Sequence, residues 1–328
     1  MYNVKIANLE TLHRFLNSTD SEWVDTVVTK DGVLFIQDSS EVFAVYQLPS
    51  VRGNKDTDEA FRMEKSLLKL LALEGAIEMI INTDSVELTF VGNEYRRRVI
   101  VTKRQAFVSI YASKMNVLQG VAGQSFDATK LKEVYQLSKV LHSYVEVMGD
   151  TAGVVARDGT RIFTKVSGIP EVCLTASAMN SLYNCNSLWQ AYQQYVIATD
   201  GLFGVVVTQC RGSGAIDYDV VAATQRGSAA IATINFTDVL NLMPKLPQCS
   251  MSIDLRTGEC VLTKNSQEYF LTVDVQDLQI VPEFDGHVQL NPKVFSDLVA
   301  KLKRTTVTLS VKKNFYQIEC GDLIILCK

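Results

Sequence analysis

The sequence predicts an α+β protein built by repetition, and three observations carry that reading. A pattern of a short strand, a helix of about ten residues and a run of three strands recurs along the 328 residues, at the repeat scale that signals an array. Asp-Gly pairs at Asp31-Gly32, Asp158-Gly159 and Asp200-Gly201 sit between apolar runs, where they mark hairpins. Helical stretches alternate with runs of hairpins. That order predicts antiparallel sheets carrying helices on one face, not a doubly wound parallel sheet.

The first copy opens on NVKIA, with a helix over NLETLHRFLN capped by Asn8 and facing inward through Leu9, Leu12 and Leu16. The strands VDTVVTKDGVLFIQDSSEVFAVYQL follow. In the second copy a helix is expected around residues 62–73, ahead of AIEMIINTDSVELTFVGNEYRRRVIVTK. The third has TKLKEVYQLSKVL and then YVEVMGDTAGVVARDGTRIFTKV; the fourth has CLTASAMNSLYN and then YVIATDGLFGVVVTQ. The fifth runs through AAIATINFTDVLNLMPKL and SMSIDLRTGECVLTKNSQEYFLTVDV. The sixth runs through GHVQLNPKVFSDLVAKLKR and TVTLSVKKNFYQIECGDLIILCK. Pairing neighbouring half-units gives three similar domains, 1–112, 113–223 and 224–328, with linkers near 112–124 and 224–228.

Bulk properties narrow the function classes. The chain is 47% hydrophobic and 21% charged, an ordinary balance for a globular protein, and its six prolines and lack of low-complexity tracts leave little room for disorder. Its seven cysteines include no CxxC pair, so buried free thiols are expected in place of a disulfide frame or zinc site. No signal-like N-terminus and no membrane-length apolar run is present, so a cytoplasmic protein without a membrane role is expected. The net charge of −4 argues against a protein that is basic all over, but a sum can hide a local basic surface.

The helices supply such a surface. In the third, Leu131, Val134, Tyr135 and Ser138 share one face and Lys132, Gln136 and Lys139 the other. The second turns Lys65 and Lys69 outward from Leu67, Leu70 and Leu71. The sixth presents Lys293 and Arg304, with Lys301 and Lys303 on its flanks, opposite Phe295, Leu298 and Leu302. The first offers Arg14 and the fifth Lys245, while the fourth shows Ser177, Ser181 and Asn184. Any solvated helix carries lysine, which explains one helix taken alone. Repetition over equivalent helices of an acidic chain, with Glu10 and Asp297 the chief acidic residues there, instead suits sequence-independent contact with phosphates.

Three domains of two strand–helix–three-strand halves resemble the bacterial-type DNA polymerase sliding clamp, the beta clamp. The resemblance covers the whole chain in architecture. At residue level it rests on VVARDGTRIF at 154–163, similar to the clamp's ATDGHRL segment through Asp158, Gly159 and Arg161, with Ile162 for Leu and Thr160 for His. ATDGLFG at 198–204 is similar to the same segment but lacks the Arg, and the C-terminal GDLIILCK resembles the family's last strand without its Met-Pro-Met tail.

The resemblance implies a DNA-clamp fold with helices on the inner face and antiparallel sheets outside. It also implies a homodimeric ring around double-stranded DNA, a DNA polymerase and a clamp-loader ATPase as partners, and a processivity role without catalysis; the divergence suggests a phage version. It places a partner-peptide pocket at Arg157, Gly159, Thr160, Arg161 and Ile162 with Ile324 and Leu326. Read singly, those residues also fit an ordinary turn and core.

Chemistry-bearing motifs are missing. His13, His142 and His287 have no partner at metal spacing, and there is no P-loop, dinucleotide fingerprint or GxSxG elbow, so no catalytic residue, metal or cofactor is expected. The Arg96-Arg97-Arg98 run alternates across a strand and reads as sheet or rim decoration. The rival readings are a non-catalytic assembly protein of repeated α+β modules that binds no DNA, and an enzyme whose site is unrecognised.

Overall fold

The computed structural model describes the chain apart from residues 1, 6–8, 30–31, 50–58, 72–74, 93–95, 105–106, 121–122, 158, 213, 217–221, 223, 225, 247–248, 291–304 and 328. The first half-unit is β1 (Tyr2–Lys5), α1 (Leu9–Leu16), β2 (Trp23–Thr29), β3 (Gly32–Asp38) and β4 (Val42–Pro49). The second is β5 (Glu59–Glu64), α2 (Lys65–Leu71), β6 (Gly75–Ile81), β7 (Ser85–Gly92) and β8 (Arg96–Thr102). A helix α3 (Phe107–Gly120) then leads to the third: β9 (Gln124–Asp127), α4 (Lys132–Leu141), β10 (Tyr144–Met148), β11 (Thr151–Val155) and β12 (Arg161–Lys165). The fourth is β13 (Val172–Thr175), α5 (Ala176–Cys185), β14 (Leu188–Tyr192), β15 (Tyr195–Asp200) and β16 (Phe203–Thr208).

The fifth half-unit is β17 (Ala230–Asn235), α6 (Thr237–Leu242), β18 (Ser250–Asp254), β19 (Glu259–Lys264) and β20 (Gln267–Thr272). An added strand, β21 (Asp274–Ile280), precedes β22 (His287–Leu290), β23 (Thr306–Val311), β24 (Tyr316–Cys320) and β25 (Leu323–Cys327) of the sixth, whose expected helix lies outside the described residues.

Half-units are tied in pairs by exchange of their leading strands. β1 pairs with β6 while β5 pairs with β2. β9 pairs with β14 while β13 pairs with β10, and β22 pairs with β18 while β17 pairs with β23. Each half therefore borrows the backbone donors and acceptors of its neighbour, which leaves few sheet edges unpaired.

The chain separates into two compact units, residues 1–129 with 177–210 and residues 130–176 with 211–328. The first holds a four-stranded sheet, β1-β6-β7-β8, and an eight-stranded sheet, β5-β2-β3-β4-β16-β15-β14-β9. On one face of the larger sheet Phe15 of α1 packs against Tyr46 and Phe203. Burying one such side chain contributes about 1.5–3 kcal/mol. The second unit holds a nine-stranded sheet, β13-β10-β11-β12-β25-β24-β23-β17-β21, and a four-stranded sheet, β20-β19-β18-β22. There Val134 and Leu137 of α4 are buried, α4 lying against β10, β11 and β12.

Three expectations change. Arg62 lies in strand β5, opposite Asp25 of β2, and the second helix starts only at Lys65. The leading strand's partner is distant in sequence, so local apolar spacing alone favours a helix there. The expected linker at 112–124 is mostly helix: α3 spans the proposed boundary at 112 and buries Tyr111 beside Phe43, Ile197 and Val206. Ser181 of α5 is buried and bonded to the carbonyl of Ser18, so it is packed away from solvent, whereas Ser177 of the same face is exposed.

Candidate nucleic-acid interface

Within the first unit α1 neighbours α2, and α2 rests on β6 and β7. The end of α1 is bonded to α5, whose Asn184 amide donates to the Asn17 carbonyl at 2.9 Å. Arg14, expected to face phosphates, braces this junction. Its guanidinium donates to the Cys185 carbonyl at 2.7 Å and to the Asp200 carboxylate at 2.7 Å. A planar fork that satisfies two acceptors at once suits a junction of elements, and Asp200 neutralises its charge.

Lys65 is half-buried and its ammonium donates to the Thr19 carbonyl at 2.7 Å. Burial first, then the neighbouring Lys69, lowers its proton affinity, against which Asp20 acts. Lys69 itself is exposed.

In the second unit α4 keeps Leu131, Val134, Tyr135 and Ser138 buried and presents Lys132, Gln136 and Lys139 to solvent, as its periodicity requires. The Lys139 ammonium lies 4.2 Å from the Tyr135 ring centroid, which fixes its stem along the helix. Lys245 is exposed but stands on a short 3-10 turn, Met243–Lys245, beyond the end of α6. Glu10, Glu133 and Asp238 are exposed on the same helices, so acidic residues are more frequent there than expected. Lys293, Lys301 and Arg304 lie outside the described residues, as does Asp158.

The two segments expected to form the peptide pocket meet as adjacent strands. Arg161 pairs with Leu326, Ile162 with Ile325, and Phe163 with Ile324 in the antiparallel β12–β25 ladder. Side chains alternate across a sheet, so Arg161, Phe163, Ile324 and Leu326 share one face. Ile162 lies on the other, fully buried in the core. The seven residues are thus brought together around one ladder but divided between its faces. Gly159 has φ +85°, a left-handed conformation that its lack of a side chain permits, and it lets the loop turn back so that the Ala156 amide reaches the Thr160 carbonyl. Thr160 is buried and Arg157 exposed.

Sequence reasoning misses one residue of this face. Gln317 of β24 pairs with Leu326, and its Oε1 is buried without a hydrogen-bond partner, as is Nη1 of Arg161. A donor and an acceptor thus flank Leu326 with bonding capacity unused. Only the β24–β25 register reveals this, and hydropathy alone marks Gln317 as a surface residue.

Each four-stranded sheet ends on a strand with an exposed apolar side chain. β8 ends that of the first unit and carries Arg96, Arg97 and Arg98, with Ile100 65% exposed. On one face Arg96 pairs with Glu78 and Arg98 with Glu87. β20 ends that of the second unit and carries Glu268, with Phe270 63% exposed. Among the described residues no group of His, Cys, Asp and Glu could hold a metal ion, and no helix is long and apolar enough to cross a membrane.

No protein-family model and no curated protein matches the sequence. Solved structures do match in fold. A chain assigned as a DNA polymerase III beta subunit from Eubacterium rectale superposes with a TM-score of 0.75 at 11% identity, covering 99% of this chain and 98% of that one. The DNA polymerase sliding clamp of Bacillus subtilis gives 0.72 at 10% identity, covering 99% and 97%. The DNA polymerase III beta subunit of Thermotoga maritima gives 0.68 at 13%, covering 99% and 98%. The chain has the sliding-clamp fold from end to end.

Proposed function

We propose that the protein is a DNA sliding clamp, a non-catalytic ring that encloses duplex DNA and tethers a polymerase. The observation that carries the reading is the likeness to sliding clamps over nearly the whole length of both chains, with strand exchange pairing all the half-units. That exchange supports a division into three domains, 1–112, 113–223 and 224–328. Lys69, Lys132, Lys139 and Lys245, all exposed, are assigned to meet phosphates through weak, salt-sensitive contacts that permit sliding. Lys65 and Arg14 position the helices that carry this surface.

A homodimer closes the ring head to tail. The β8 edge is basic with an exposed isoleucine, and the β20 edge carries a carboxylate and an exposed phenylalanine. Such edges are complementary in charge and share unpaired backbone groups. Tethering then works through topology, because a polymerase held to an enclosed duplex experiences a high local DNA concentration. A clamp-loader ATPase opens the ring. The polymerase's peptide is assigned to the part of this face where Arg161 and Ile324 keep partial exposure, beside buried Leu326, Phe163 and Gln317 and two unused polar atoms.

Light scattering during size-exclusion chromatography tests the ring. The expected mass is twice the chain mass of 36.4 kDa, and Ile100→Asp in β8 is expected to leave monomers. A wild-type monomer at micromolar concentration contradicts closure. An assembly protein without DNA binding is the alternative, and its mark is a dimer that circular DNA never retains.

A further inference from the structure

The segment that follows the second half-unit does more than connect. α3 runs across the face of the eight-stranded sheet opposite α1. Near its start the Tyr111 hydroxyl donates to Asp25 of β2 at 2.7 Å, and Arg62 of β5 grips the same carboxylate through Nε at 2.6 Å and Nη2 at 2.9 Å. One turn on, Lys114 pairs with Asp38 at the end of β3, 2.6 Å away, and lies over the Phe43 ring of β4. Further along, Leu118 meets Gly204 of β16 so closely that a Cβ on Gly204 would lie 2.9 Å from its Cδ2. The helix therefore passes from β2 to β16 over the seam where β4 pairs with β16. That seam is the ladder joining half-units one and four.

The second unit has a buried carboxylate at the same place in its repeat. Glu146 is the third residue of β10, as Asp25 is the third of β2, and both are buried. Its Oε2 accepts from the amides of Ala215 and Ile216 at 2.8 and 3.3 Å. Ile216 lies against Gly153 of β11, where a Cβ would meet its Cγ1 at 3.2 Å. After β23, the Lys312 ammonium donates to the carbonyls of Thr224 and Arg226. Ala215 and Ile216 are thus bonded at β10, and Thr224 and Arg226 separately beside β23.

We infer that α3 is a strap that holds the β4–β16 seam rigid, anchored near its start by the buried Asp25 carboxylate. Isolated ladders open through local fluctuation, and a covering element pinned on both sides closes that route. Flexing of the chain is thereby directed away from the β4–β16 ladder. The inference requires neither DNA nor ring closure.

Hydrogen exchange read by mass spectrometry on the full chain tests it. In Tyr111→Phe/Leu118→Ala, peptides covering 42–46 and 203–207 are expected to exchange at least tenfold faster, with peptides of β6 and β7 unchanged. Seam exchange that stays at the wild-type rate overturns the inference. Equal acceleration in every ladder also overturns it, because the helix would then only add general stability. Should the double variant not fold, Leu118→Ala alone carries the same comparison, and the same results uphold or overturn it.

Discussion

Arg161 of β12 stands directly opposite Leu326 of β25, and Gln317 stands opposite Leu326 from the far side. The row joins residues separated by more than 150 positions in the chain, and its polar ends keep an unused donor and acceptor. Arg161→Ala is expected to weaken co-elution with the replicative polymerase at least tenfold, since charge-assisted bonds to a bound peptide are lost. Unfolding free energy should change by about 1 kcal/mol or less, the range for a half-buried side chain away from the core. Urea denaturation alongside gel filtration separates the two effects.

Lys132→Glu/Lys139→Glu tests the helix surface. Both side chains are exposed, so the circular dichroism spectrum should be unchanged and the unfolding free energy should hold to within about 1 kcal/mol, including the lost contact with Tyr135. DNA-dependent processivity should fall. The slope of log affinity against log salt should become shallower by about two, one counterion for each phosphate no longer neutralised. An unchanged slope would remove both lysines from the interface.

The Asp25 cluster makes a prediction about stability. Asp25 is buried and receives the Arg62 guanidinium and the Tyr111 hydroxyl. That carboxylate raises the Arg62 pKa, and burial followed by the same bond keeps the Tyr111 phenol neutral. Tyr111→Phe should cost about 1 kcal/mol, whereas Asp25→Ala should cost about 3–5 kcal/mol because it strips a partly buried cation of its partner. The double variant should cost less than the sum, since both changes remove the same bond. Additive losses in denaturant titrations would show the two groups acting independently.

Burial raises the Cys185 thiol to about 12 and the Cys260 thiol to about 11, from an ordinary 9.0. With the folded value above the unfolded one, the unfolded chain ionises first. Stability from these thiols is therefore present below pH 9 and lost as pH rises toward 11 and 12. Native protein should resist alkylation at both positions at pH 8.5. Cys185→Ala should flatten the alkaline fall in melting temperature, and a fall of unchanged steepness would assign it to other groups.

The repeat and most helices were legible because they are local. Leu12 and Leu16, and then Val134 and Ser138, are buried as a period of 3.6 residues demands. The Asp200-Gly201 pair forms a tight hairpin between β15 and β16. What was hidden is long-range. Strand exchange cannot be seen in the sequence, so β5 reads as the start of a helix. Tyr111, just before the expected linker, shows no role in local pattern until Asp25, 86 positions away, supplies its acceptor. Asp200 explains itself as a turn residue, which conceals its bond to Arg14. In the candidate pocket, Asp158-Gly159 marks the segment that leads into β12, but only the ladder register shows that Ile162 faces away from Arg161. Local pattern fixes an element's own periodicity, while the partner across a sheet fixes what its side chains meet.

Topological enclosure is tested most directly by loading the protein onto nicked circular DNA with its clamp loader, isolating the complex by gel filtration, and cutting the circle once. The expected result is stable retention on the closed circle and loss within minutes after linearisation, as the ring slides off the ends. Equal retention on circular and linear DNA would contradict the account, because the protein would then be held by contacts and not by enclosure.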